Sequence, residues 1–213
     1  MDGDGLREVL SVGLRALEGD GRPSAEAVVA GALEGLESLL VLDLEMSGPN
    51  AQMHEVLDLG GVRAQLAPGL TEEEAYGAKV RPKHIGNAVL GALKVVGYSP
   101  KAWKTAVELE EAFARLEEVG RDAVVTGWGI GQDMAFLVES FRRLSRPWPF
   151  ALVALDVQPI ARGLLTGGSV DRFNLGHVAD RLGIGRMGEH GALADAYATY
   201  DVLVKLVERA GAN

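Results

Sequence analysis

The run Val41-Leu42-Asp43-Leu44-Glu45-Met46-Ser47-Gly48 constrains this chain more than any other stretch, because it is apolar, carries two acids two residues apart, and stops at Ser-Gly-Pro. It reads as the central strand of a sheet. Side chains alternate across a strand, so Asp43 and Glu45 share a face, with Cα atoms roughly 6 to 7 Å apart. Two acids on one face of a hydrophobic strand repel each other and are costly to desolvate unless a cation lies between them. Metal binding relieves both costs.

At 213 residues the chain is long enough for one well-buried α/β domain with some decoration. It has no cysteine, which excludes a disulfide scaffold and any thiolate zinc site, so a metal must be held by oxygen or imidazole. The formal net charge of −9 argues against broad, sequence-independent binding to duplex nucleic acid, which depends on phosphate neutralisation by Lys and Arg. A short or single-stranded substrate stays compatible with that charge, since a bound cation brings positive charge to a few phosphates. The opening Met1-Asp2-Gly3-Asp4-Gly5 is acidic where an export signal would be basic, and Glu34 and Glu37 interrupt the apolar stretch before the first strand. A cytoplasmic protein without membrane attachment is the expectation.

Periodicity orders the rest. Residues 5 to 18 and 23 to 36 read as two helices, giving an N-terminal helical extension over 1–38 that packs on the domain or on a second copy, so a homo-oligomer is one open arrangement. From residue 39 to 213 the pattern predicts a single domain. His54 to Leu66 reads as a second strand with a bend or bulge at Gly60-Gly61, and a third strand follows near Ala75 to Val80. Helices are expected over 87–96, 106–119, 133–144 and 191–210, with strands at Val124-Val125 and Phe150 to Leu155 and a helix capped by Asn174. An antiparallel meander followed by alternating strands and helices predicts an α/β fold: a mixed five-stranded sheet flanked by helices.

Two later segments carry acids suited to join Asp43 and Glu45. Asp133 stands where the glycine-rich turn Gly127-Trp128-Gly129-Ile130-Gly131 leaves a strand and a helix begins. Farther on, Glu189-His190-Gly191-Ala192-Leu193-Ala194-Asp195 places a histidine five residues ahead of an aspartate on the last helix. The small residues of that segment let the helix approach the sheet closely and carry Asp195 towards the first strand.

Taken together, the three segments resemble the three motifs of the DnaQ-like 3′-5′ exonucleases of the branch named for Asp, Glu, Asp, Asp and a final His. D-x-E at the end of the first strand matches Asp43 and Glu45, an Asp opening a helix matches Asp133, and H-x-A-x-x-D matches His190, Ala192 and Asp195. The resemblance runs from about residue 39 to 209. Gly127-Trp128-Gly129 replaces the Gly-His-Asn common before the second motif, and Gln132 stands where an aromatic is common; neither change touches a ligand position.

The resemblance implies a ribonuclease-H-like fold and a metal-dependent hydrolase of phosphodiester bonds acting on 3′ ends of single-stranded DNA or RNA, or on short oligonucleotides. It implies two Mg²⁺ or Mn²⁺ ions held by Asp43, Glu45, Asp133 and Asp195, with His190 as general base and Met46 and Ser47 in contact with the terminal nucleotide. Oxygen donors suit such hard ions, and an imidazole with a pKa near about 6.5 can take a proton from water at neutral pH. The alternative is a non-catalytic nucleic-acid-binding or interaction module that keeps the fold.

Other features have plainer readings. Gly127, Gly129 and Gly131 have the wrong spacing for a dinucleotide fingerprint, and Asp156 reads as a helix cap. His54 is expected on a strand and His177 within a helix. Lys79, Arg81, Lys83 and His84 form the densest basic cluster, read as a solvated face. Trp103, Trp128 and Trp148 are expected in the core.

Overall fold

The structure, a computed structural model, describes residues 37–66, 69–165, 173–185 and 191–210. The two helices expected before the first strand lie outside the described residues, as does His190.

Five strands form one sheet in the order β3-β2-β1-β4-β5: β1 (Ser38–Met46), β2 (Val56–Gln65), β3 (Thr71–Lys79), β4 (Val124–Gly127) and β5 (Ala154–Asp156). β2 runs antiparallel to β1 and to β3, whereas β4 pairs parallel with β1 and β5. This is the sheet of the ribonuclease-H-like fold. Helices α1 (Leu90–Val96), α2 (Leu109–Gly120), α3 (Gly131–Arg143), α4 (Val157–Leu164), α5 (Leu175–Arg181) and α6 (Ala192–Ala210) surround it.

Alternation along β1 divides the core in two. Leu40, Leu42 and Leu44 pack with Phe113 and Leu116 of α2 and Phe136, Leu137 and Phe141 of α3. Leu39 faces Val202, Leu203 and Leu206 of α6, and Val41 faces Ala196. The β1 residues Leu39 to Leu42 are at most 1% exposed, so truncating one of these leucines to alanine should cost about 2 to 5 kcal/mol. Asp43 and Glu45 continue the odd-numbered row, which places them on the face covered by α6.

The pattern predicted at Gly60-Gly61 takes another form. Pairing runs unbroken through both glycines, opposite Asp43 and Leu42; the β1–β2 register shifts instead at Glu45/Met46, where Leu57 is the extra residue of β2, and the β2–β3 register shifts at Arg63/Ala64, where Glu73 is the extra residue of β3. Glycine serves close approach here: a Cβ on Gly60 would fall 2.2 Å from Cα of Leu193 in α6. The last strand is shorter than its apolar run, since Phe150 leaves the sheet line to pack edge-on against Trp148 and Phe141. His54 sits in the turn ahead of β2, buried, with its Nδ1 accepting from the Asn50 N–H at 2.9 Å.

Candidate active site

The site forms where β1 outruns its parallel neighbour. The β1–β4 ladder ends at Val41 opposite Thr126, so the later backbone of β1 has no strand partner on that side. Leu44 N–H instead donates to Oδ1 of Asp133 at 3.0 Å. Asp133 therefore comes to the end of β1 from the face covered by α3, although Asp43 and Glu45 point to the other. Gly127 makes the crossing tight, because a Cβ there would lie 2.9 Å from the Leu42 carbonyl oxygen.

From the opposite face α6 delivers Asp195 in its first turn. Ala192, Ala196 and Ala198 are buried and let the helix lie close on β1 and β2, as the run of small residues predicts. Carboxylate oxygens of Asp43, Glu45 and Asp195 lie within 4.8 Å of one another.

The electrostatics are one-sided. Burial first, then the charges of Asp133, Asp195, Glu45 and Asp58, hold the Asp43 carboxyl well above the usual range. Burial also raises Asp133 to about 6, against the pull of the Leu44 N–H. These donors fit a divalent cation: they are all oxygen, those of Asp43, Glu45 and Asp195 converge from β1 and α6 with Asp133 placed beside them at the end of β1, and a positive ion would offset the burial and repulsion that raise Asp43.

The residues after Glu45 form the rim. Ser47 is 2% exposed; its hydroxyl accepts from Glu55 N–H at 2.9 Å, and its backbone bonds Glu55 and the Val89 amide ahead of α1. Met46, Pro49, Ala92, Val95 and Gln132 line an open depression of about 270 Å³ beside Glu45. The apolar wall that α1 contributes escapes sequence reading, because nothing local ties Val95 to residue 46.

Asp58 also escapes it. This β2 residue pairs with Glu45 on one side and Lys79 on the other. Burial pushes its carboxyl up to about 6, opposed by hydrogen bonding from the backbone of Ala192 and by Lys79. A lone acid within Val56-Leu57-Asp58-Leu59 is the signal available in the sequence.

The remaining candidates have structural partners. Lys79 lies 4.3 Å from the Trp103 ring centre, Arg81 bonds the Ala106 carbonyl, and the amides of Lys83 and His84 donate to Glu55. Trp103 is buried with its Nε1 on the Leu57 carbonyl, and Trp128 stacks on Phe173. Asp156 caps α4 through Gln158 N–H and also accepts from Gly129 N–H. His177 meets Asn174 at 2.8 Å.

Fold and site together define a ribonuclease-H-like domain with a carboxylate cluster at the end of its central strand. The sequence model of the RNase T family, described as Exonuclease, matches residues 40–203, and the chain belongs to that family of nucleases. It is 26% identical over 171 residues to the DNA polymerase III subunit epsilon of Aquifex aeolicus, covering 80% of this chain and 81% of that one. It is 23% identical over 177 residues to the PolC-type DNA polymerase III of Thermotoga maritima, covering 82% of this chain and 12% of that one. Among solved structures, the zinc-bound complex of E. coli Exonuclease I with single-stranded DNA superposes with a TM-score of 0.69 at 19% identity, over 82% of this chain and 41% of that one. The chain thus spans most of the epsilon subunit, about two fifths of Exonuclease I and a small part of the polymerase.

Proposed function

We propose that this protein is a 3′-5′ exonuclease that removes nucleotides from 3′ ends of single-stranded DNA or RNA, including short oligonucleotides, with two divalent cations, Mg²⁺ or Mn²⁺. The observation that carries this reading is the convergence of Asp43, Glu45 and Asp195 beside Asp133 in a chain of the exonuclease family. The likeness to the DnaQ-like branch supplies the direction, and the Exonuclease I complex with single-stranded DNA supports the strandedness. Among the described residues no helix is long and apolar enough to cross a membrane.

Asp43, Glu45, Asp133 and Asp195 would hold the cations, which when bound would supply positive charge for the scissile phosphate and its leaving 3′ oxygen. The chain's own groups divide the remaining work. His190, the residue before Gly191, is the general base that takes a proton from the attacking water. Leu44 N–H fixes one Asp133 oxygen and so aims the other. Met46 offers an apolar contact to the terminal nucleotide at the edge of the depression, and Ser47 shapes that contact from beneath through its bonds to Glu55.

The test is a time course on 5′-labelled single-stranded DNA and RNA oligonucleotides with Mg²⁺, with Mn²⁺ and with chelator, beside Asp195→Ala. A ladder shortening from the 3′ end, lost with chelator and in the variant, is the expected result. Intact substrate in every lane with folded parent protein would overturn the reading.

A further inference from the structure

Asp195 reaches Asp43 and Glu45 only if the first turn of α6 is held in place, and three contacts from the neighbouring strands hold it. Gly60 of β2 lies directly beneath Leu193, with no room for a Cβ against the Leu193 backbone. Gly77, its partner on β3, would place a Cβ 2.9 Å from Cβ of Leu193. The third contact is polar. Asp58, two residues before Gly60 and on the same face of β2, turns its carboxylate to the backbone N–H of Ala192, the first residue of α6. A Cβ built on Gly191 would lie 4.0 Å from Asp58 Oδ2.

The sequence explains why such an acceptor is needed. The first amides of a helix have no partner within it, and the residue before the helix normally supplies a side-chain oxygen. Here that residue is Gly191, whose carbonyl accepts from Asp195 N–H at 3.0 Å and which has no side chain to offer.

We infer that Asp58 is a positioning residue of this site: it caps α6 from the adjacent strand and thereby keeps Asp195 in register with Asp43 and Glu45. It lies outside the group of three converging carboxylates and acts through the helix. The kinetic consequence rests on the nuclease reading above; the cap itself does not.

The test compares Asp58→Ala and Asp58→Val, which lack the acceptor, with Asp58→Asn, whose amide oxygen keeps it. Folding is checked by circular dichroism, kcat and KM are measured on a single-stranded oligonucleotide, and hydrogen exchange is followed in peptides covering α6 and β1. Displacing a ligand should lower kcat by about tenfold or more in the acceptor-less variants while KM stays within about twofold. Exchange should quicken in the first turn of α6 and stay parental in β1, and Asp58→Asn should recover both properties.

Parental kcat and exchange in a folded acceptor-less variant would overturn the assignment, as would an Asn variant as impaired as the Ala variant. Should both acceptor-less proteins fail to fold, the Asn protein decides: parental protection of the first turn supports the cap, and fast exchange overturns it. A parent that hydrolyses nothing would sink the nuclease reading and leave the exchange comparison to decide the cap.

Discussion

Two groups of partly buried carboxylates in this molecule are treated in opposite ways. On α2 and α3, Glu117 meets Arg121 and Arg146, while Glu139 meets Arg142 and Arg143. Their guanidinium partners lower both acids, Glu139 to about 2. At the end of β1 the charges acting on Asp43 are those of Asp133, Asp195, Glu45 and Asp58, and all of them push its carboxyl up. The fold supplies arginines where an acid is structural. Around Asp43 it gathers acids, an arrangement that favours a cation arriving from solution.

The comparison breaks first at Asp43 itself. Outer-shell partners of a metal cost about 10- to 100-fold in affinity or activity when changed, so Asp43→Asn should cost at least about a hundredfold in turnover. The same change removes repulsion, so the chelated variant should melt above the chelated parent at pH 7. Mg²⁺ should then raise the melting temperature of the parent far more than that of the variant, since ligand stabilisation requires binding to the native state. A chelated variant that melts below the parent would show that the negative cluster does not destabilise the metal-free fold.

The acid row of β1, Asp133 and Asp195 were legible because each belongs to a short local pattern: alternation on a strand, or an acid opening a helix. The fold was legible for the same reason, with the apolar alternation of β1 fixing a central strand covered on both faces. Asp58 and Val95 were not, because their parts depend on strand register and on where α1 packs, which no local pattern encodes. Gly60 shows the limit well. A glycine pair inside a strand suggests a bulge, yet the position is set by a helix more than a hundred residues later. The late start of β5, at Ala154, follows from an aromatic cluster that outcompetes strand pairing for Phe150.

The two groups should also separate in pH. Asp133 and Asp58 each have a native pKa of about 6 against an ordinary value of 3.8, so between these limits the native state binds more protons than the unfolded chain. Stability in chelator should therefore fall as pH rises from about 4.5 to 7, by at most roughly 3 kcal/mol for each group. Glu139 has the opposite sign: its stabilisation is complete above the ordinary glutamate range and is lost as pH falls towards about 2. Metal-free melting temperature should peak between the two limbs, and saturating Mg²⁺ should shrink the upper limb alone, by the share that belongs to Asp133. An upper limb unchanged by Mg²⁺ would place the titrating acids away from the cation site.

The smallest effect is expected at Glu117. Its Oε1 accepts from Arg121 at 2.7 Å and its Oε2 from Arg146 at 2.8 Å, tying the end of α2 to the turn after α3. That end of α2 packs on Leu40, near the start of β1, since a Cβ on Gly120 would meet the Leu40 side chain at 2.5 Å. Glu117→Gln keeps the shape and most of the hydrogen bonding but loses the charge, and both arginines remain partly solvated, so the loss should be roughly 1 kcal/mol. Because the acid already has its cations, the change should be insensitive to Mg²⁺ and should leave kcat at the parental value. A loss of turnover comparable to that of Asp43→Asn would mean that the arginine-paired acids also serve the chemistry, and the division between the two groups would no longer hold.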